Sequence, residues 1–193
     1  VKKEDGMKKV TAAAILANPD YKAISYGGYR KDTRSTQPTI AQLKEDLKIL
    51  AAIGVKVIRT YNVHMQHAVN TIEAIEELKI EDEKFEMYVM LGAWIDCKNA
   101  WTGLKPIHEE ESERNAIEIE RAVRLAVEHP DIIKIISVGN EAMVKWATEY
   151  YVYPKVILKW VNHLQDLKKQ NKLPKDLWIT SSDNFASWGG GDA

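Results

Sequence analysis

Short β-branched or aromatic runs alternate along the chain with longer stretches whose apolar residues recur at helical spacing. That alternation predicts repeated strand–helix units around a parallel sheet. A short helix is expected over 11–17, and the first strand is Lys22-Ala-Ile-Ser-Tyr26, which opens into Gly27-Gly28-Tyr29-Arg30. Pro38 and Thr39 then start a helix carrying Ile40, Leu43, Leu47, Leu50 and Ala51, and Gly54 ends it just past its last turn. The second strand is predicted over 55–62, and Ala68, Ile72, Ile75 and Leu78 mark the helix behind it. A third strand runs from Met87 to Trp94 and ends at Ile95-Asp96. Its helix carries Ile119, Ala122, Val123 and Ala126 and stops at His129-Pro130, because proline disfavours helix in the residue before it.

The fourth strand, Ile133-Lys-Ile-Ile-Ser-Val138, stops at Gly139, Asn140 and Glu141. A helix with Val156, Ile157, Trp160, Val161, Leu164 and Leu167 follows, and Leu177-Trp-Ile-Thr-Ser-Ser182 forms the fifth strand. Strand ends fall near residues 30, 62, 96, 141 and 182, a regular repeat with no linker or low-complexity segment inside it. The chain thus divides into a helical lead-in over 1–20 and one α/β unit over 21–193.

A doubly wound nucleotide-binding sheet would share the alternation but needs a glycine-rich first turn such as GxGxxG or GxxxxGK[ST]. Tyr26-Gly27-Gly28-Tyr29-Arg30-Lys31 has neither spacing. Polar and aromatic residues instead gather at every strand end: Tyr26, Tyr29 and Arg30; Arg59, Tyr61 and Asn62; Trp94 and Asp96; Asn140 and Glu141; Asp183 and Trp188. In a (β/α)8 barrel, the TIM-barrel architecture, those ends build the active site, so the distribution reads as a barrel face lined for a polar, ring-shaped ligand. Aromatic faces would stack on sugar CH groups while Arg, Asn and Asp take the hydroxyls. Each aromatic taken singly also fits a core position. Glu141 stands out, since a carboxylic acid at the end of a buried strand beside an amide suits a general acid; capping of the following helix is the plain alternative.

Composition narrows the classes. With 193 residues there is one well-buried domain rather than two, and 45% hydrophobic with 28% charged residues is ordinary for a globular fold. Twenty-seven basic against 28 acidic residues give a net charge of −1, so no footprint for nucleic acid or an anionic membrane is expected, and a neutral substrate fits better. Cys97 is the one cysteine, which excludes an internal disulfide and a CxxC pair and reads as a core or loop thiol. No apolar run approaches a membrane span. The chain begins at Val1, so a removed leader or a trimmed end is expected; the compartment stays open, with a secreted or periplasmic location favoured over a cytoplasmic one.

Other constellations carry less. His64 and His67 lie three apart but lack a third ligand at suitable spacing, so they read as surface histidines and no metal or cofactor is expected. His108-Glu-Glu-Glu111 lacks the second histidine of HExxH, position 112 being Ser112, and reads as acidic residues near a helix start. There is no GxSxG elbow. The terminal Gly189-Gly-Gly-Asp-Ala193 reads as a flexible loop.

Ile24-Ser-Tyr-Gly-Gly28, Val57-Ile-Arg-Thr-Tyr-Asn62, Val138-Gly-Asn-Glu141 and the segment from Ile179 to Trp188 together resemble family 17 of the glycoside hydrolases, the β-1,3-glucanase family of clan A. The resemblance runs from Tyr21 onward. It implies a (β/α)8 barrel and a retaining mechanism on β-glucan, with Glu141 as acid/base and Asn140 on the 2-hydroxyl of the sugar beside the scissile bond. It also implies subsites lined by Tyr26, Arg59, Tyr61, Asn62, Asp183 and Trp188, with Asp96 as a further hydroxyl-binding group.

The resemblance implies an oligo- or polysaccharide substrate and a nucleophilic glutamate on a seventh strand. Five units at roughly 39 residues each fall short of the ~250–300 residues that eight units occupy. The expectation is therefore the first five units of an incomplete barrel, completed by a missing C-terminal half or by self-association, and inactive alone. Asp96 and Asp183 neighbour the fourth strand and suit hydroxyl binding or tuning of Glu141 better than nucleophilic attack. A catalytically silent carbohydrate-binding or assembly module is the competing reading.

Overall fold

The computed structural model describes residues 10–189; the terminal glycine run expected to be a flexible loop falls on 190–193, outside the described residues. In chain order the elements are α1 (Ala12–Ile15), β1 (Lys22–Ser25), α2 (Ile40–Ala52), β2 (Val55–Arg59), α3 (Gln66–Glu81), β3 (Tyr88–Ala93), β4 (Cys97–Lys98), β5 (Ile107–Glu111), α4 (Arg114–Glu128), β6 (Ile133–Asn140), α5 (Pro154–Lys169), β7 (Trp178–Ser182) and α6 (Phe185–Trp188). Five strands form one parallel sheet in the order β1-β2-β3-β6-β7, and β4 pairs antiparallel with β5 in a small second sheet.

Local chemistry explains the helix limits. Thr39 caps α2: its hydroxyl accepts from Gln42 N at 3.3 Å, while Gln42 Oε1 accepts from Thr39 N at 3.0 Å. Gly54, at φ +85°, takes the left-handed residue past the last turn of α2. Pro154 opens α5, where a missing N–H costs nothing. The helices α2 to α5 pack their apolar stripes on one face of the sheet, around Leu43, Leu47, Ile58, Ile72, Leu91, Ile119, Ile136 and Leu164, all almost fully buried. On the other face, near the strand N-termini, α1 packs Ile15 against Val57 and Tyr88.

Burial falls off toward the edges. From Ile133 to Gly139, β6 is wholly buried, as a central parallel strand requires, whereas all four residues of β1 are exposed and β7 opens with Trp178 at 43% exposure. Gly92 in β3 packs against the backbone just past the end of β2: a Cβ there would lie 2.4 Å from the Thr60 carbonyl oxygen. Its N–H donates to Thr60 Oγ1 at 3.1 Å.

Two expectations need correction. His108-Glu-Glu-Glu111 is not a helix start but lies within strand β5. It reaches across to α5, where Glu111 accepts from Trp160 Nε1 at 2.7 Å and pairs with Lys159. The β4–β5 hairpin also explains why the third strand–helix unit is the longest. His67 is not a surface histidine: it is 1% exposed, and only His64 faces solvent. Cys97 is a buried free thiol in β4.

Candidate active site

The end of β6 is built on a bulge. Its pairing with β7 shifts register between Val138 and Asn140, and the residue passed over, Gly139, has φ +78°. A Cβ there would stand 3.0 Å from both the Ala142 Cβ and the Ile157 Cδ1, so glycine is required by space as well as by backbone angle. Glu141 is itself left-handed, at φ +46°, and its N–H donates to Ser182 O at 2.9 Å on β7. In a regular strand Asn140 and Glu141 would point to opposite faces; left-handed residues on either side of Asn140 break that alternation. For a glutamate this backbone costs roughly 1–2 kcal/mol. Glu141 is half-buried, and among the described residues no side chain or backbone group hydrogen-bonds its carboxylate.

Asn140 is fixed from β2, two strands away. Arg59 donates through Nη2 to Asn140 Oδ1 at 2.5 Å, with β3 lying between the two strands. Because Arg59 has only donors, that contact engages the amide oxygen and leaves the NH2 as the end of Asn140 that can donate elsewhere. The guanidinium also lies 5.3 Å from the centre of the Tyr61 ring, while its Nε is buried with no partner among the described residues.

Not every residue expected at the site is free to take part. The Tyr26 hydroxyl donates to Asp46 Oδ2 at 2.7 Å, and Arg30 grips the same carboxylate with both terminal guanidinium nitrogens, so this trio ties the end of β1 to α2. Burial, then Asp46, push the Tyr26 phenol well above its ordinary range. Asp183 accepts from the N–H of Met143 and of Asn184, both at 2.8 Å, and so braces the loop after Glu141. Asn62 is buried and accepts from Met65 N at 3.2 Å. Trp188 lies on α6 with 58% of its surface exposed.

Asp96 is 3% exposed; its Oδ2 accepts from Arg114 at 2.9 Å and its Oδ1 has no hydrogen-bond partner among the described residues. Burial raises its pKa. Arg114 opposes that shift most, followed by the nearby Ser112 and Trp94 side chains. With Asn62 and Trp94, Asp96 lines a cavity of about 510 Å³ that Glu141 does not border.

Several residues with a part in this region were not singled out from sequence. Glu118 on α4 is 4% exposed and accepts from Val63 N at 2.6 Å and Trp94 N at 3.0 Å, with His64 Nδ1 3.2 Å from its other oxygen. One carboxylate therefore joins the chain beyond β2 to that beyond β3. Asn115 adds a reciprocal pair with the Asp96 backbone, at 3.0 and 2.9 Å. The signal was present: Asn115 and Glu118 share the buried face of α4 with Ile119 and Ala122, an amide and an acid on an apolar stripe. Tyr150 was also missed. Its ring centre lies 5.1 Å from Trp94 and 5.4 Å from Trp101, and burial first, then the Glu141 and Asp183 charges, raise its pKa.

No family model matches the chain, and no curated protein matches it. It is similar to the crystal structure of an endo-laminarinase from Formosa Hel1_33_131, with 67% identity and a TM-score of 0.93 over 95% of this chain and 47% of that one. The chain spans about half the length of the protein that it matches.

Proposed function

We propose that this chain is the N-terminal part of a glycoside hydrolase of family 17 type, a retaining enzyme acting on β-1,3-glucan, with Glu141 as its acid/base. The observation that carries the reading is the joint placement of Arg59, Asn140 and Glu141 at the carboxyl ends of β2 and β6, in a chain 67% identical to an endo-laminarinase. Five parallel strands in sequential order are what the first five units of a (β/α)8 barrel would supply.

In this reading the protonated Glu141 donates to the glycosidic oxygen as the C–O bond breaks. A second carboxylate attacks the anomeric carbon and forms a glycosyl-enzyme. Glu141, now ionised, takes a proton from the water that releases the sugar. In this reading the NH2 of Asn140 bonds the 2-hydroxyl, a contact that strengthens as the transition state forms.

The second carboxylate must stand ~5–5.5 Å from the first. Asp96 is engaged by Arg114, and Asp183 by two backbone N–H groups, so neither is free to serve.

The test joins this chain to the second half of the longer laminarinase and follows reducing ends released from a β-1,3-glucan. The joined protein should hydrolyse the glucan, Glu141→Gln should abolish that activity, and the chain alone should be silent. Full activity in the joined Glu141→Gln protein would remove Glu141 from the acid/base role. Binding without hydrolysis in the joined wild type would favour a carbohydrate-binding module.

A further inference from the structure

The β4–β5 hairpin has no part in the mechanism above, yet it grips the loop that leads away from Glu141. Residues 141–153 join β6 to α5 and contain neither helix nor strand. A left-handed glutamate at the head of such a loop persists only where its surroundings over-determine it. Three hydrogen bonds converge there. The N–H of Glu141 donates to Ser182 O at 2.9 Å, that of Met143 donates to Asp183 Oδ2 at 2.8 Å, and Ala142 O accepts from Val152 N at 2.7 Å. The first two are anchored at the end of β7, whereas the third comes from the far end of the same loop.

That third bond is only as firm as the placement of Val152, and His108 on β5 fixes it from both sides. His108 O accepts from Tyr153 N at 3.1 Å, and His108 Nδ1 lies 2.8 Å from Tyr151 O. A carbonyl oxygen only accepts, so Nδ1 carries the hydrogen. The imidazole also stacks on the Tyr151 ring, with centres 3.6 Å apart and planes inclined by 10°. Val152, between the two gripped residues, keeps its side chain buried in the core while its N–H reaches Ala142.

The grip is anchored in turn. From β4, Cys97 N donates to Tyr150 O at 3.1 Å. At the end of β5, Glu111 accepts from Trp160 Nε1 at 2.7 Å and pairs with Lys159, both on α5. The hairpin therefore holds the loop and the helix that follows it, and at His108 main chain and side chain act on the loop together.

We infer that His108 is a positioning residue for Glu141, holding the acid/base on the glycosidic oxygen through Tyr151, Val152 and Ala142. The inference rests on the glucanase reading and adds to it a residue outside the substrate cleft. A general acid contributes ~10²–10⁴-fold only while it stands within hydrogen-bond reach of the atom it protonates, so a displaced Glu141 loses rate where a proton is needed and little where it is not.

The test uses the joined protein and two substrates. One is a β-1,3-glucan, whose sugar leaving group needs a proton; the other is the dinitrophenyl glycoside of a β-1,3-linked glucose dimer, whose phenolate leaves without one. The quantity followed is kcat/KM, with circular dichroism and Tm on the same samples. His108→Phe keeps a ring for the stack and removes the donor; it should lower kcat/KM on the glucan about tenfold or more and on the dinitrophenyl glycoside less than about threefold. His108→Asn carries an N–H close to the Nδ1 position and should recover glucan hydrolysis to within about threefold of wild type. His108→Gln sets its amide beyond the Tyr151 carbonyl and should behave like His108→Phe, so it decides the question if His108→Phe does not fold. Equal losses on the two substrates, or undiminished glucan hydrolysis in the Phe and Gln variants, would overturn the positioning role and leave the glucanase reading standing. Full glucan hydrolysis by Glu141→Gln in the same joined protein would overturn both.

Discussion

Arg59 on β2 and Asn140 at the end of β6 are hydrogen-bonded across the intervening strand β3, guanidinium Nη2 to amide Oδ1 at 2.5 Å. The bond sets which end of the amide faces Arg59, and so which end, donor or acceptor, the residue beside Glu141 keeps for other partners. A charge-assisted bond of this kind contributes ~1.5–3 kcal/mol, and more when its loss leaves a buried donor unpaired. In the joined, active protein, Arg59→Gln is expected to lower kcat/KM by about 10²-fold or more with secondary structure unchanged. Steady-state kinetics with circular dichroism on the same samples checks it; a loss under threefold would mean that Asn140 is oriented by something else.

The backbone at Glu141 sets stability against function. At φ +46° a glutamate is strained, and asparagine tolerates that region better. Glu141→Asn should therefore raise the unfolding free energy by roughly 0.5–1 kcal/mol, which is about 1–4 °C in Tm for a chain of this size, while abolishing hydrolysis in the joined protein. Differential scanning calorimetry is the measurement. A clear drop in Tm would show that the Glu141 side chain stabilises the fold more than its backbone strains it.

Acid should weaken the fold through His67. Burial, then the His64 and Arg34 charges, lower its pKa from 6.5 to about 4. The unfolded chain takes up a proton near pH 6.5, whereas the folded chain resists until about 4. Stability therefore declines as the pH falls through 6.5 and levels off below about 4, a loss of up to ~3 kcal/mol. Tm followed from pH 7.5 to 4 should show that slope, and His67→Gln should flatten it whatever its own cost at neutral pH.

Glu118 should act as a strand-end tie. Glu118→Ala leaves the N–H groups of Val63 and Trp94 without their acceptor and should cost ~2–4 kcal/mol. Glu118→Gln retains an amide oxygen and should recover part of that. Urea denaturation of the two variants, compared with wild type, distinguishes a tie from a passive buried acid, for which the two losses would be equal.

At Gly92 the backbone of Thr60 and Tyr61, just past β2, leaves no room for a methyl group. Glycine to alanine there must push against the Thr60 carbonyl and the Tyr61 backbone, and an overpacking cost of ~1–3 kcal/mol or more is expected. A Gly92→Ala chain with unchanged Tm would show that the strands part easily at this point.

Much of the α/β order was legible because it depends on local pattern. Leu43 and Leu47 recur at helical spacing, and β6 is a β-branched run buried along nearly its whole length, so each announces its element and its burial. The β4–β5 hairpin was not legible. Cys97–Lys98 is too short to show a period, and His108 to Glu111 is acidic, so nothing in that stretch signals a strand. His67 was misplaced for a related reason: histidine gives little indication of burial, and its placement depends on Tyr29 and Gln37 arriving from the preceding loop.

The candidate site divides along the same line. Gly139-Asn140-Glu141 at the end of a hydrophobic strand marks a kinked terminus and a carboxylate in the sequence itself, since only glycine suits the bulge and the strand must stop there. Which strand-end residues are available to a ligand and which are already engaged was decided by tertiary structure. Tyr26, Arg59, Asp96 and Asp183 all stand at strand ends in the sequence, yet Tyr26 is bound to Asp46, Asp96 to Arg114 and Asp183 to two backbone N–H groups, while Arg59 turns its Nη2 to Asn140 beside Glu141. The Tyr26–Asp46 and Met143–Asp183 hydrogen bonds, between residues 20 and 40 positions apart, make that distinction, and they exist only once the elements stand side by side.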